Sequence, residues 1–136
     1  MTDSLRANDG VFNLEFSPEF VQQFSQGRLT TLEQVAQFNP EGYVKRSIFK
    51  TDSLHFGLYC LEPGQINARH KHPQNDEICY VVRGTGEIVI GDEIAAVEAG
   101  VFIHAHQSVE HEIRNTGTER MLIIVVQSPL PLKTER

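Results

Sequence analysis

The chain has 136 residues, 40% of them hydrophobic and 22% charged, with a formal net charge of −6. That length suits one domain with a proper core, and the acidic balance argues against nucleic acid as a partner, since broad affinity for it needs a basic face. No apolar run approaches a membrane span and Met1 to Arg6 carry no secretory apolar core, so the expectation is a cytoplasmic protein with no membrane partner.

Residues 1–42 are expected to form a partly helical arm. Pro18 to Phe24 reads as a short helix with Ser17 as N-cap and Pro18 at the first helical position. Thr30 to Glu33 matches a capping box that opens another helical turn, closed by Asn39-Pro40. Phe12, Leu14, Phe16, Phe20 and Phe24 make the arm too apolar to float free. It is expected to lie on the body of the protein or on a second subunit, so a homodimer is expected.

From Tyr43 the pattern changes to β. Strand-length runs rich in aromatic and β-branched residues cover Val44 to Phe49, Leu54 to Leu61, Ile78 to Val82, Glu87 to Ile90, Ile94 to Val97, Val101 to Ile103, Val109 to Arg114 and Met121 to Gln127. Turns are marked by Pro63-Gly64, Arg83 to Gly86, Gly91, Gly100 and Asn115 to Gly117. Many short strands with glycine turns predict an all-β sandwich or barrel over 43–128. The tail 129–136 cannot continue a central strand, because Pro129 and Pro131 lack an amide donor. Gly84 and Gly86 lie between two strands with no helix after them, which predicts a hairpin and not a phosphate loop.

The chemistry concentrates between Gly64 and Glu77. His70 and His72 are two apart on what reads as a strand, so both imidazoles can aim at one point while Lys71 faces away. Pro73 to Asp76 turn the chain and Glu77 opens the next strand beside them. Imidazole plus carboxylate without thiolate suits a divalent transition metal. Cys60 and Cys79 form no Cys-x-x-Cys pair and sit in apolar runs, so both read as buried free thiols. Cys79 is two residues past Glu77 and so shares its face, which leaves a place near the same point open to it without making it a ligand. His55 reads as a satisfied or exposed histidine, and Asp76 as a residue that helps to fix the turn.

The spacing Gly64, His70-x-His72, Glu77, Gly84 resembles the first motif of the cupin superfamily, complete and without a gap. Gly100 to Asn115, with His111 inside it, resembles the second motif. Val101 stands where an aspartate is common and His106 where a proline is usual. The resemblance runs from Val44 to Gln127 and is strongest to small single-domain cupins. It implies a single jelly-roll β-barrel in which His70, His72, Glu77 and His111 ligate a divalent transition metal, with Fe, Mn, Ni, Zn and Cu all open. His111 enters on the family pattern alone.

Four protein donors on an octahedral ion would leave two adjacent positions for water, dioxygen or a chelating substrate, the mark of a reactive site. The expected function is a metal-dependent enzyme of dioxygenase, isomerase or lyase type acting on a small polar molecule inside the barrel. The alternative is a non-catalytic cupin that binds a sugar or small acid. Proton transfer falls to a nearby histidine or tyrosine, with His104 and His106 the catalytic candidates, although an odd–even count from His111 points them to the opposite face.

Overall fold

The computed structural model describes residues 12–14 and 30–136. The helix expected over Pro18 to Phe24 and the packing of the Phe-rich arm lie outside the described residues. Ten strands follow the chain: β1 Phe12–Leu14, β2 Val44–Lys50, β3 His55–Leu61, β4 Ile66–His70, β5 Asp76–Arg83, β6 Thr85–Ile90, β7 Glu93–Glu98, β8 Phe102–Ala105, β9 His111–Arg114 and β10 Met121–Ser128. They form a six-stranded sheet in the order β1-β2-β3-β10-β5-β8 and a four-stranded sheet in the order β4-β9-β6-β7. The short β1 runs parallel to β2 and the other pairs are antiparallel. This is an all-β barrel, as the strand pattern predicts, with the jelly-roll form that the resemblance implies.

One helical turn, α1 (Leu32–Val35), precedes the barrel, and its cap sits one residue later than the sequence reading placed it. Thr31 is the N-cap: the Gln34 amide donates to its hydroxyl at 3.3 Å and the Gln34 side chain accepts from the Thr31 amide at 3.1 Å. Glutamine serves in a capping box as well as glutamate does. Glu33 is thereby released to pair with Arg83 on β5 at 2.9 Å.

Period-two alternation divides the core into two layers. Tyr59, Leu61, Cys79, Val81, Ile88, Ile113, Met121, Ile123 and Val125 point between the sheets and are buried there. On the outer side of the large sheet, Val44, Ile48, Leu58, Cys60 and Leu122 pack under Val35 and Leu32 of α1. Gly84 turns β5 into β6 with φ of +89°, and a Cβ there would come within 2.6 Å of the Arg120 carbonyl oxygen, so the tight hairpin requires glycine. Both cysteines are free and buried, as read.

Register fixes what faces what at one end of the barrel. On the small sheet His70 pairs directly with His111. On the large sheet Glu77 pairs with Gln127 of β10, and Gln127 with His55 of β3. The tail beyond β10 returns to this end, where Lys71 and Glu135 exchange two backbone hydrogen bonds of 2.8 Å. Among the described residues no helix is long and apolar enough to cross a membrane.

Candidate metal centre

His70 ends β4, His72 lies just beyond it, Glu77 is the second residue of β5, and His111 opens β9. All four are buried, and each offers one donor atom within 4.8 Å of the others. The structure therefore brings together the four residues proposed as ligands, from both sheets. The 73–76 turn carries the chain from one sheet to the other between His72 and Glu77.

The imidazoles are held with one nitrogen each turned inward. His70 Nδ1 lies 2.7 Å from the Ala68 carbonyl oxygen, His72 Nδ1 2.8 Å from that of Lys133, and His111 Nδ1 3.0 Å from that of Val109. A carbonyl only accepts, so each Nδ1 carries a proton, and in the neutral ring each Nε2 presents a lone pair. Such outer contacts orient metal-ligating histidines. His72 Nε2 stands 3.2 Å from Glu77 Oε1 and His111 Nε2 3.4 Å from Glu77 Oε2. Neither approach makes a properly aligned hydrogen bond. Both Nε2 atoms are buried and lack a hydrogen-bond partner.

Buried polar atoms without partners are costly. Two of them beside a buried carboxylate fit a divalent cation, which supplies the missing charge and the missing bonds. Borderline nitrogen and oxygen donors fit a transition metal better than calcium or magnesium, which prefer oxygen throughout.

Behind the carboxylate runs a hydrogen-bonded row that sequence reasoning missed. Gln127 Nε2–H donates to Glu77 Oε1 at 2.6 Å, Gln127 Oε1 accepts from His55 Nδ1–H at 2.8 Å, and His55 Nε2 accepts from the Ser47 hydroxyl at 2.9 Å. The donor directions follow from the acceptor-only carboxylate at one end. Each donor points toward Glu77, so the row favours its anionic form. Gly57 makes room for it: a Cβ there would come within 2.7 Å of the Arg46 carbonyl oxygen and 3.2 Å of the His55 ring. The sequence held a signal for Gln127, a polar residue in phase with the inward-facing Met121, Ile123 and Val125. His55 proves to be a satisfied, buried histidine.

The charges follow from these contacts. Burial alone would raise the Glu77 carboxyl, but the close His111 and His72 rings and the Gln127 amide outweigh it and hold the group well below the ordinary range. Burial, then the neighbouring His111 charge, lowers His70 to about 4. Burial also pulls on His111, yet the adjacent Glu77 carboxylate wins and raises it. The Cys79 thiol, pushed well up by burial and then by Glu77, stays protonated and donates to Glu77 Oε2 at 3.2 Å. Cys79 thus touches a proposed ligand, a contact that the sequence alone left open.

The C-terminal tail belongs to the same structure. The Lys133 amide donates to Asn75 Oδ1 at 2.9 Å, while Asn75 Nδ2 donates to the Pro129 and Pro131 carbonyl oxygens. These bonds seat the Lys133 carbonyl that orients His72. Lys45, opposite Tyr59 on the inward face of β2, adds a cation to the interior. Burial lowers its amine and the Glu77 charge offsets part of that.

His104 and His106 are not brought into this cluster. They point outward beside Asp76, with side chains 57% and 68% exposed. Alternation on β8 explains this, since Ala105 between them is the residue that pairs with Glu77 and turns inward.

The family model for the cupin domain matches residues 57–127. The chain is a cupin. It is similar to an uncharacterized protein of Streptomyces coelicolor, at 29% identity over 102 residues, covering 75% of this chain and 94% of that one. Among solved structures, one from Thermus thermophilus is 30% identical with a TM-score of 0.72, covering 76% of this chain and 98% of that chain. A candidate sugar phosphate isomerase from Acidithiobacillus ferrooxidans is 25% identical with a TM-score of 0.59, covering 65% of this cupin and 60% of that chain.

Proposed function

We propose that this cupin is a metal-dependent enzyme of isomerase, lyase or dioxygenase type that holds a divalent transition metal on His70, His72, Glu77 and His111 and acts on a small polar molecule in the barrel. The observation that carries the reading is the pair of buried, unpartnered Nε2 atoms beside a buried carboxylate. When bound, the metal supplies Lewis acidity, and for an oxygenase a meeting point for dioxygen and substrate.

The chain's own residues do the rest. Backbone carbonyls fix the three imidazoles, and the Gln127 row keeps Glu77 anionic. Val81, Ile88 and Ile113 belong to the buried apolar core between the sheets, and such a low-dielectric interior strengthens charge interactions. Lys45 supplies positive charge for acidic or hydroxylated groups of the substrate. The similarity to a candidate sugar phosphate isomerase supports a small oxygen-rich substrate. We also take the assembly to be a homodimer, supported by the apolar composition of the arm, with Phe16, Phe20 and Phe24.

The test pairs metal content with turnover. His70→Ala, His72→Ala, Glu77→Gln and His111→Ala are purified beside the wild type and screened on sugar phosphates, hydroxy acids and small carboxylates. Loss of high-affinity metal and of turnover together, with the fold retained by circular dichroism, supports the reading. Turnover that survives loss of the metal refutes it. Ligand-induced thermal shifts with no turnover on any class would assign the barrel to binding alone.

A further inference from the structure

A second group of side chains meets outside the barrel, on the solvent face of β5 and β8. His106 Nδ1 lies 3.0 Å and His104 Nε2 3.5 Å from Asp76 Oδ1. The three donor atoms all fall within 4.8 Å of one another. The two rings stand edge to face, with centroids 5.7 Å apart and planes at 77°, so neither blocks the other's approach to the carboxylate. Zinc–nitrogen and zinc–oxygen bonds of about 2.0–2.2 Å span tetrahedron edges of roughly 3.3–3.5 Å. One measured separation falls just short of that range and the other at its upper end, so an ion needs only small side-chain shifts to bridge the trio.

We propose that Asp76, His104 and His106 form a second cation site, on the barrel surface, selective for imidazole-preferring divalent ions of the zinc, nickel and copper class over magnesium and calcium. Two histidines and one carboxylate leave coordination positions open to solvent. Both rings are exposed, so a neutral imidazole can move its proton to the solvent-facing nitrogen and offer the other to the ion without a buried charge being created. The site is separate from the barrel cluster: Asp76 and Glu77 are consecutive residues of β5 and point to opposite faces of the sheet.

The outer site is tied to the inner one through the chain between them. The Gln107 amide donates to Asp76 Oδ1 at 3.2 Å, the Ser108 amide donates to the His72 carbonyl oxygen at 2.9 Å, and the Ser108 hydroxyl donates to the Pro73 carbonyl oxygen at 3.4 Å. Ser108 holds φ of +67° to make this contact. An ion on the outer trio would clamp the segment after β8 against the 72–76 turn, which delivers His72 and Glu77 to the barrel. Its binding is therefore expected to slow metal loss from the inner site.

Metal-stripped full-length protein is titrated with zinc by calorimetry, with magnesium and calcium as controls. The wild type is expected to take two zinc ions per chain and neither control ion at the outer site. His104→Ala/His106→Ala is expected to take one and to release it to a chelator several-fold faster than the wild type releases its slower ion. His70→Ala/His111→Ala is expected to keep the outer ion, and adding Asp76→Asn should weaken that binding at least tenfold. The outer variants change exposed side chains, and circular dichroism checks their fold. No zinc in His70→Ala/His111→Ala, or two in His104→Ala/His106→Ala, overturns the proposal. Failure of the barrel to bind metal would leave the outer ion of His70→Ala/His111→Ala untouched, so the two readings fail separately.

Discussion

Replacing Gln127 by leucine tests whether the row behind Glu77 acts as a unit. The substitution keeps volume and removes two bonds at a fully buried position. The 2.6 Å bond to Glu77 is charge-assisted and contributes about 1.5–3 kcal/mol; leaving the buried His55 Nδ1–H unpartnered costs a further ~1–3 kcal/mol, partly offset by the more apolar side chain. A net loss of about 2–4 kcal/mol follows. At roughly 3 °C per kcal/mol for a domain of this size, the melting temperature of the metal-free protein should fall by about 6–12 °C. Because Glu77 loses the donor that orients it, zinc affinity should also fall about 10–100-fold. His55→Leu/Gln127→Leu should lose clearly less stability than the sum of the single variants, since removing both partners leaves no orphan between them. Denaturant melts of the four proteins and zinc calorimetry supply the numbers. Additive single effects with unchanged zinc affinity would refute the reasoning.

Metal affinity should rise as pH rises through and above 6.5, because His111, raised by Glu77, must give up its proton to bind an ion; a flat pH profile in calorimetry would contradict this. The metal-free protein should be most stable near pH 6.5. His70 is lowered to about 4, so the unfolded chain takes up a proton there that the folded state refuses, and roughly 3 kcal/mol is lost as pH falls from 6.5 to 4. Glu77, held low, adds to that loss below its ordinary value of 4.5. On the other side, the stability that His111 contributes below 6.5 is lost as pH rises through its raised folded value. Equal denaturant midpoints at pH 4.5 and 6.5 would overturn that profile. Gly57→Ala should destabilise by about 1–3 kcal/mol, because its methyl would meet the Arg46 carbonyl oxygen at 2.7 Å, and a melt that matches the wild type would show that β2 can move aside. Asn75→Ala should free the tail from His72 and lower zinc affinity about tenfold, and unchanged affinity would remove the tail from the site.

Much of this was legible in the sequence because period-two alternation and glycine turns report burial directly. Strand boundaries came out within a few residues, and His70, His72 and Glu77 could be placed by local spacing alone. His111 needed the family pattern, since cross-sheet neighbours leave no local trace. The Gln127–His55–Ser47 row joins the first long strand of the barrel to its last, and only strand register reveals it. The tail's part was hidden for the same reason: Pro129 and Pro131 announce the end of a strand but not that Lys133 returns to His72. His104 and His106 were drawn toward the site by residue type, whereas the alternation set by Ala105 turns them outward.

The most direct measurement is metal-edge anomalous diffraction on crystals of the full chain loaded with one equivalent of zinc. The account predicts the peak inside the barrel, within bonding distance of His70, His72, Glu77 and His111. A single peak elsewhere, with those four side chains unbridged, would contradict it.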